Sequence, residues 1–291
     1  MAYKNQPLGT RFHYNRMFNI EPIRLQMLQL IQIGEICIEP TFAGQAHDQF
    51  CHEVSFIISG QGVFEYNGER VPVSAGDIVI TPGTGHHAVY ASDQEAIFYA
   101  FAGFKFTGDH RFPEDVTRWF AGGAQYVGRD RGGFYNYFRK CIDEFYRGGE
   151  IDLLMVEACL TQIIIWATRA MSGRVQNSEW QPEQQTPGQL VYRILKHVEH
   201  HLLEPLTVAG VAAQLGYSAT YISHVFKEKM GVTLQQYIAD CKIDKAKELI
   251  AKRRFTMTES AELLGYLNLQ SFSRAFQKRT GLSPSEYKET L

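Results

Sequence analysis

The sequence predicts a multidomain β plus α protein, with an N-terminal antiparallel β-barrel and following helices, then a C-terminal all-α domain. At 291 residues the chain is long enough for about two domains, each with its own core. Residues 33–106 show short β-rich runs with turn signals about every ten residues. After Asp109 the apolar residues change to helical spacing, and near the C-terminus a helical segment occurs twice.

The strands predicted within residues 1–110 are bounded by tight turns. Two β-rich runs are "EICIEP" and "VSFIIS", and the last strong strand is "AIFYAFAGF". The run "VFEYNGERVPV" predicts a hairpin, because Asn67 and Gly68 favour the positive φ angles of a two-residue turn. This pattern is typical of an antiparallel sandwich or small barrel.

Residues 111–173 are expected to form a helical region that mediates dimerisation. Its apolar residues follow helical spacing in "FYNYFRKCIDEFYR" and in "IDLLMVEACLTQIIIWATRAM". The second segment has a broad apolar surface that includes Leu153, Leu154, Ala158, Cys159, Ile163, Ile165 and Trp166. A helix apolar over so much of its circumference needs two partners. A second subunit and burial within one chain both remain open as explanations.

Residues 174–189 are predicted to be a linker between the two domains. The stretch is polar, contains two prolines and shows no periodicity. Residues 190–291 beyond it have a helical pattern throughout.

The C-terminal domain contains an internal repeat over residues 207–237 and 256–287. The offset between the copies is 49 before a turn and 50 after it, so the second turn has one extra residue. The matched pairs are Thr207/Thr256, Ala212/Ala261, Leu215/Leu264, Gly216/Gly265, Tyr217/Tyr266, Ser223/Ser273, Phe226/Phe276, Gly231/Gly281 and Tyr237/Tyr287. Each copy predicts a helix, a tight turn at the glycine and a second helix.

The second helix of each copy should bury an apolar face and present a polar face to solvent. The buried residues should be Ile222, Val225 and Phe226 in the first copy and Phe272, Ala275 and Phe276 in the second. In the first copy the polar face carries Thr220, Ser223, His224 and Lys227; in the second it carries Gln270, Ser273, Arg274 and Gln277. Such side chains suit base edges and phosphates in a DNA major groove. A merely solvated face is the alternative, but two copies joined by a Lys-rich helix favour DNA.

Residues 206–287 resemble the tandem helix-turn-helix domain of AraC/XylS-type transcription regulators. The motifs that carry the resemblance are "AAQLGYSATYISHVFKEKMGVTLQQY", "SFSRAF" and "TGLSPSEY". The resemblance places base-proximal positions at Thr220, Ser223, His224, Leu269, Gln270, Ser273 and Arg274. It implies that the partners are double-stranded operator DNA, a small-molecule effector, RNA polymerase and a second copy in a homodimer.

This sequence departs from the family pattern at a few positions. Ser260-Ala261 replaces the usual Ile-Ala, Lys242 stands where Arg is frequent in the connecting helix, and His224 stands where Arg is common. These departures concern individual contacts and leave the resemblance of the domain intact.

The predicted barrel resembles a cupin domain. Its second motif, "SAGDIVITPGTGHH", has the expected spacing of Gly76, Pro82 and His86, whereas the first motif, "HDQFCHEVSFIISGQG", lacks the usual His-x-His. The candidate ligand-binding residues are His47, His52, Glu53, His86 and His87. We expect a pocket for a small polar molecule, with sugars or other nutrients suggested by similar regulators, and no metal, no cofactor and no catalytic residues. A divalent ion held by His47, Glu53 and His86 or His87 is the alternative.

Charge is distributed unevenly along the chain. Residues 188–291 carry 14 Lys and Arg against 10 Asp and Glu, whereas residues 1–187 carry 15 against 21. A mildly basic C-terminal third on an acidic body suggests a polyanionic partner for that third alone.

Five scattered cysteines without a Cys-x-x-Cys pair indicate a reducing compartment. The start "MAYKNQPLGT" has no apolar signal core, and the run "CLTQIIIWATRAM" is too short to span a bilayer. We therefore expect a cytoplasmic protein without a membrane partner.

The leading hypothesis is a ligand-responsive transcription regulator of a carbohydrate or nutrient operon. One alternative is a metal-dependent cupin enzyme that carries a DNA-binding domain. Another is a thiol-based redox regulator, for which Cys51 beside the candidate pocket is the one cysteine of interest.

Overall fold

The computed structural model describes residues 12–14, 22–40, 46–130, 132–146, 152–172, 187–252 and 255–290. The chain divides into two units, Met1–Gly188 and Gln189–Leu291. All the strands in the described residues belong to the first unit, and the second contains helices.

Two sheets form the N-terminal unit. The larger has the order β1-β3-β10-β5-β8-β11, with β2 also on β3, and the smaller has the order β4-β9-β6-β7. Every pairing is antiparallel except that of β1 with β3. The strands are β1 (Phe12–Tyr14), β2 (Ile23–Arg24), β3 (Leu28–Ile38), β4 (His47–Gln49), β5 (His52–Ser59), β6 (Gln61–Tyr66), β7 (Glu69–Ser74), β8 (Asp77–Thr81), β9 (Gly85–Ala91), β10 (Ile97–Phe106) and β11 (Tyr126–Arg129).

The two sheets share an apolar core. Alternate residues of their strands point inward, as expected for sheets with one face buried. The core residues are Ile36, Ile38, Ile57, Phe64, Val73, Val79, Val89, Ile97, Tyr99 and Phe101. This confirms the predicted antiparallel β domain.

The predicted hairpin lies between β6 and β7. Asn67 and Gly68 have φ angles of 52° and 83°, the left-handed values that a two-residue turn requires. The strands pair from Gln61 with Ser74 to Tyr66 with Glu69. The Asn67 side chain also accepts a hydrogen bond from the His86 backbone N–H at 3.0 Å, which ties the turn to β9.

The region after Asp109 is not wholly helical, which corrects the sequence prediction. It contains α1 (Glu114–Ala121), α2 (Phe134–Phe145) and α3 (Leu153–Met171), but also β11, which pairs with β8 from Tyr126 with Ile80 to Arg129 with Asp77. Four residues are too few to show a period, and their pairing partner lies about fifty residues away in the chain, so no local signal marked this strand.

Helix α3 packs inside the N-terminal unit along one face. Its buried residues include Ile163, which is 0% exposed, so that residue belongs to the core and not to the subunit interface that we expected it to form. The Glu157 carboxylate is also buried and accepts hydrogen bonds from the backbone N–H groups of Gln26 (3.2 Å) and Met27 (2.6 Å). The exposed apolar residues lie at the start of the helix, where Leu154 is 68% and Met155 51% exposed.

By length and composition alone, Leu153–Met171 could cross a membrane, and 44% of its most apolar window is buried inside the protein. This corrects our statement that its apolar run is too short. The buried, hydrogen-bonded Glu157 and the contacts of α3 with α2, β5, β8 and β11 are those of a core helix.

Of the predicted linker, 174–189, residues 174–186 lie outside the described residues. Its last three residues are helical, because α4 begins at Pro187. Proline suits the first turn of a helix, where its missing N–H is not needed.

Seven helices are described for the C-terminal end of the chain, in agreement with the predicted all-α domain. They are α4 (Pro187–His200), α5 (Val208–Leu215), α6 (Ala219–Met230), α7 (Leu234–Lys252), α8 (Met257–Leu263), α9 (Leu269–Thr280) and α10 (Pro284–Glu289). The two copies of the repeat are α5–α6 and α8–α9, joined by α7. The helices of both copies end in the same way, because the glycine that follows each helix has a positive φ: Gly216 80°, Gly231 73°, Gly265 71° and Gly281 79°.

The predicted inner faces of the repeat are buried. Ile222, Val225 and Phe226 are at most 5% exposed in α6, and Phe272 and Phe276 are fully buried in α9. In the second copy they pack with residues of α7 and α8 around Ile243, Ala246, Leu249, Ile250, Ala261 and Leu264.

Candidate functional site

Helix α6 presents the first set of predicted DNA-binding residues. Its start is fixed by Ser218, whose hydroxyl accepts a hydrogen bond from the Tyr221 backbone N–H at 3.2 Å. Thr220, His224 and Lys227 are exposed and Ser223 is partly exposed. His224 lies 3.7 Å from the Glu228 carboxylate one turn along, so part of its hydrogen-bonding capacity faces an acidic neighbour.

Helix α9 presents the second set. Gln270 and Arg274 are exposed, Ser273 is partly exposed, and Leu269 is 39% exposed. The helix contains three basic residues, Arg274, Lys278 and Arg279, and no acidic one. Arg279 forms an ion pair with Asp240 of α7. Arg274 and Lys278 are the exposed basic residues of α9 outside this ion pair. The predicted residues of both helices are therefore accessible.

In the N-terminal unit the predicted ligand-binding residues His47, Glu53 and His87 come together. His47 and His87 pair across β4 and β9, and their ring centroids are 4.6 Å apart. Glu53 is buried on β5, where its carboxylate accepts hydrogen bonds of 2.7 Å from both Gln32 Nε2 and Ser55 Oγ. His47 lies close enough to Glu53 to stabilise its ionised form, so the three side chains form one cluster.

The other two predicted residues, His52 and His86, lie elsewhere. His52 Nδ1 accepts a hydrogen bond from the Gly83 N–H at 2.9 Å, and its ring packs on three phenylalanines, Phe104, Phe106 and Phe120. His86 is exposed, with Nδ1 3.1 Å from an Asp48 carboxylate oxygen. Each is the chain neighbour of a cluster residue, and adjacent residues of a strand point to opposite faces.

Two family models match the chain, one in each unit. Residues 211–290 match a helix-turn-helix domain, which spans most of both copies of the repeat, and residues 34–101 match a cupin domain, which contains the whole His47–Glu53–His87 cluster. The chain carries an AraC-type helix-turn-helix domain preceded by a cupin domain. Its AraC-type domain thus contains α6 and α9, and its cupin domain contains the buried cluster.

Curated relatives of the AraC-type domain are transcription regulators. The HTH-type transcriptional regulator YobQ of Bacillus subtilis is 39% identical over 100 residues, which are 34% of this chain and 42% of YobQ, so the chain spans less than half the length of that relative. The arabinose operon regulatory protein of Salmonella typhimurium is 25% identical over 242 residues, 81% of this chain and 82% of that protein.

Among solved structures, the C-terminal domain of AraT, a response regulator from Geobacillus stearothermophilus, is 30% identical to the part it matches. The match covers 38% of this chain and 89% of that chain, with a TM-score of 0.35. That score is too low to carry a structural argument.

The cupin domain also buries polar residues that the sequence analysis did not identify. Gln32, Gln49 and Thr81 occupy inward positions on β3, β4 and β8 and are at most 5% exposed. Gly103 leaves room for Gln32, because a Cβ there would lie 2.4 Å from Gln32 Cγ. The alternation of inward and outward positions along each strand could have identified these polar residues, because a polar residue at an inward position of a β-rich run indicates an interior polar site.

No group of three or more His, Cys, Asp and Glu side chains suited to a metal ion occurs in the described part of the chain. Cys51 is also a poor candidate for a redox sensor. It is buried, and burial together with the charge of Glu53 raises its pKa to about 12, so the reactive thiolate form is disfavoured.

Burial sets the protonation of the cluster. It lowers the pKa of His87 to about 3, with His47 contributing in the same direction, so His87 is neutral at physiological pH. It also raises the pKa of Glu53, against the lowering effect of the hydrogen bonds and of His47. Among the described residues, the buried side-chain atoms without a hydrogen-bond partner include Thr81 Oγ1 and His87 Nδ1. Unsatisfied polar atoms inside a protein are costly, and a bound polar ligand would satisfy them.

We predict that acid destabilises the N-terminal unit through His87. Between pH 6.5 and about 3 the unfolded chain binds a proton at this residue that the folded chain does not. Stability should therefore fall as the pH falls, by up to about 1.4 kcal/mol per pH unit in that window. All three tryptophans (Trp119, Trp166 and Trp180) precede residue 189, so tryptophan fluorescence during urea unfolding monitors this unit.

In that assay the His87→Leu variant should depend less on pH than the wild type, whereas His86→Leu, at the exposed neighbouring position, should retain the wild-type slope. Equal slopes for His87→Leu and the wild type would show that His87 titrates normally.

Proposed function

We propose that this protein is a ligand-responsive, sequence-specific DNA-binding transcription regulator. The observation that carries the proposal is the internal repeat, which yields two capped helices, α6 and α9, with buried apolar inner faces and exposed hydrogen-bonding outer faces. Tandem helix-turn-helix units place such helices in successive major grooves of B-DNA. The regulator names of the relatives support a regulatory role over a catalytic one.

The proposed partner of α6 and α9 is double-stranded operator DNA, bound in the cytoplasm, where RNA polymerase can be contacted at the same promoter. Arg274 can donate two hydrogen bonds to the major-groove edge of guanine. Lys227 is suited to the phosphate backbone, where a contact adds affinity without sequence preference. The two copies are not equivalent, because α6 includes Glu228 whereas α9 has no acidic residue.

The proposed effector is a small uncharged polar molecule, such as a sugar, bound in the interior of the cupin domain. The cluster offers neutral His87, the Thr81 hydroxyl and the Glu53 carboxyl, a set that matches ligand hydroxyl groups as donors and acceptors. A carboxylate ligand would lose its hydration in a buried site beside an acidic group whose pKa burial already raises, so an uncharged ligand is favoured. A carbohydrate operon is therefore the favoured target.

Effector binding is proposed to act through the population of domain arrangements. Residues 174–186 contain a proline and many polar residues, a composition that transmits no rigid displacement. Ligand in the cupin domain must then favour one arrangement of the DNA-binding domains in a dimer over another.

The dimer is proposed to form through the exposed side of α3. Leu154 and Met155 are large, apolar and mostly exposed, and Ala158 continues the same face one turn along. A neighbouring groove of about 440 Å³ is lined by Arg24, Leu25, Gln26, Leu153, Leu154 and Glu157. An apolar helix end next to a groove is suited to a symmetric contact, in which each copy offers both features to the other.

The DNA-binding proposal predicts different effects for the two basic side chains. Arg274→Ala should cost about 1–3 kcal/mol of binding free energy and relax the preference at one base pair. Lys227→Ala should weaken all sequences alike and reduce the salt dependence of binding by about one ion. Fluorescence anisotropy on selected and on random duplexes measures both. If neither variant changes affinity, α6 and α9 do not face the DNA.

The effector proposal predicts reciprocal coupling. A panel of monosaccharides and small carboxylic acids is first screened for the compound that raises the urea midpoint of tryptophan fluorescence. That compound should change operator affinity by about 5- to 150-fold, and operator DNA should change its affinity by the same factor. Equal ligand affinities in free and DNA-bound protein would contradict the proposal.

Variants of the cluster provide the control for this coupling. Thr81→Val preserves shape but removes the unpartnered hydroxyl, so it should abolish the response, as should His47→Ala. His86→Ala should respond like the wild type, because its side chain points away from the cluster.

The dimer proposal predicts that Leu154→Glu combined with Met155→Glu yields a folded monomer. Two charges at exposed positions leave the core intact but disfavour an apolar contact. Sedimentation velocity at micromolar concentration measures the change, and Phe50→Glu, at another exposed apolar position (45%) of the N-terminal unit outside α3, should stay dimeric. A monomeric wild type would contradict this proposal.

A further inference from the structure

The turn of the second helix-turn-helix unit carries a leucine with no counterpart in the first. Leu267 is the extra residue that changes the offset of the repeat from 49 to 50. Its side chain is 97% exposed, the highest value for any large apolar residue in the described part of the chain. Exposed single leucines are common on protein surfaces, so exposure alone does not indicate a function for Leu267, whereas its position in the fold does.

Leu267 is held firmly from both sides. Before it, the Tyr266 N–H donates to the Ala261 carbonyl at 2.9 Å, and the Tyr266 ring lies 5.4 Å from that of Phe272 in the core. After it, the Asn268 side chain caps α9 by accepting from the Ser271 N–H at 2.8 Å, and the Ser271 hydroxyl bonds back to Asn268. The backbone on both sides of Leu267 is therefore held in place, and its side chain projects into solvent from a defined position.

A second leucine lies just beyond the cap. Leu269, the first residue of α9, is 39% exposed and stands where the first unit has the much smaller Ala219. Leu267 and Leu269 thus flank the N-terminus of the recognition helix with apolar groups. In helix-turn-helix proteins this end of the recognition helix meets the base edges.

The surroundings of the two leucines favour DNA over a protein as their partner. The outer face of α9 continues with Gln270 and Arg274, whose side chains can donate hydrogen bonds, and the helix has three basic and no acidic residues. A protein contact built on two leucines would be expected to have further apolar residues around it. A polyanion with small apolar spots among its hydrogen-bonding edges matches this face better.

We propose that Leu267 and Leu269 recognise the C5-methyl groups of thymine in the major groove, which makes them specificity-determining residues of the second unit. The proposal rests on the DNA-binding function proposed above. The thymine methyl is the apolar group that base pairs expose in the major groove, and cytosine has only hydrogen at that position. The second unit should therefore prefer sites in which thymines lie next to the base pair contacted by Arg274.

The test removes the methyl group and nothing else. Duplexes are selected from a randomised library with the full-length protein, and each thymine of the selected site is then replaced by deoxyuridine. This change keeps the hydrogen-bonding edge of the base and deletes only its methyl. Loss of one buried methyl contact should weaken wild-type binding by about 4-fold at each recognised thymine, as measured by fluorescence anisotropy.

Two leucine variants assign the effect to the protein side. Leu267→Ala and Leu269→Ala should each bind the thymine and deoxyuridine forms equally at one or more positions where the wild type distinguishes them. Leu203→Ala changes another exposed leucine (49%), outside both helix-turn-helix units, and should discriminate like the wild type. Because the replaced side chains are exposed, circular dichroism should show unchanged folding.

The outcomes separate this proposal from the function on which it rests. If the protein selects a sequence but no thymine is sensitive to the replacement, or if both variants keep the wild-type sensitivity, the leucines do not recognise thymine and the DNA-binding function stands. If no sequence is selected, the DNA-binding function itself is wrong.

Discussion

Successive side chains of a β-strand point to opposite faces of the sheet. This alternation determines which polar side chains of the cupin domain lie inside it and which lie outside. It sends Glu53 inward and His52 into an aromatic cluster, and it sends His87 inward and His86 into solvent. A shift of one residue in the register of either strand would exchange the members of each pair and expose the apolar core. The binding capacity of the domain is therefore inseparable from its strand register.

In the C-terminal unit the same helix-turn-helix backbone occurs twice, but the exposed side chains of the two copies differ. Four glycines with positive φ and N-caps at Thr207, Ser218, Thr256 and Asn268 give both copies the same frame. On that frame α6 carries mixed charges and α9 only positive ones. Two units with the same backbone can thus expose different side chains, which suits recognition of an asymmetric DNA site.

Local signals made much of this structure predictable. The Asn67-Gly68 hairpin, the helix-ending glycines and the inner faces of α6 and α9 each depend on a few neighbouring residues, and all were found where the sequence indicated. The features that were missed depend on distant residues. Strand β11 is defined by its pairing with β8, the burial of Ile163 by the sheet beneath α3, and the buried Gln32 by its hydrogen bond to Glu53 on another strand. The cupin-like motifs suggested four histidines and Glu53 as ligand residues, but only the three-dimensional register separates the inner from the outer ones.

The extra residue in the second turn has a consequence for how such a regulator can change over generations. Leu267 lies between two anchored neighbours, yet its own side chain supports no core contact, so substitutions there should scarcely alter folding. Most positions of a recognition helix are constrained on one side by packing, but Leu267 lies in the turn just before the helix and is not. A single codon could therefore retune operator preference while the rest of the domain stays under selection for stability.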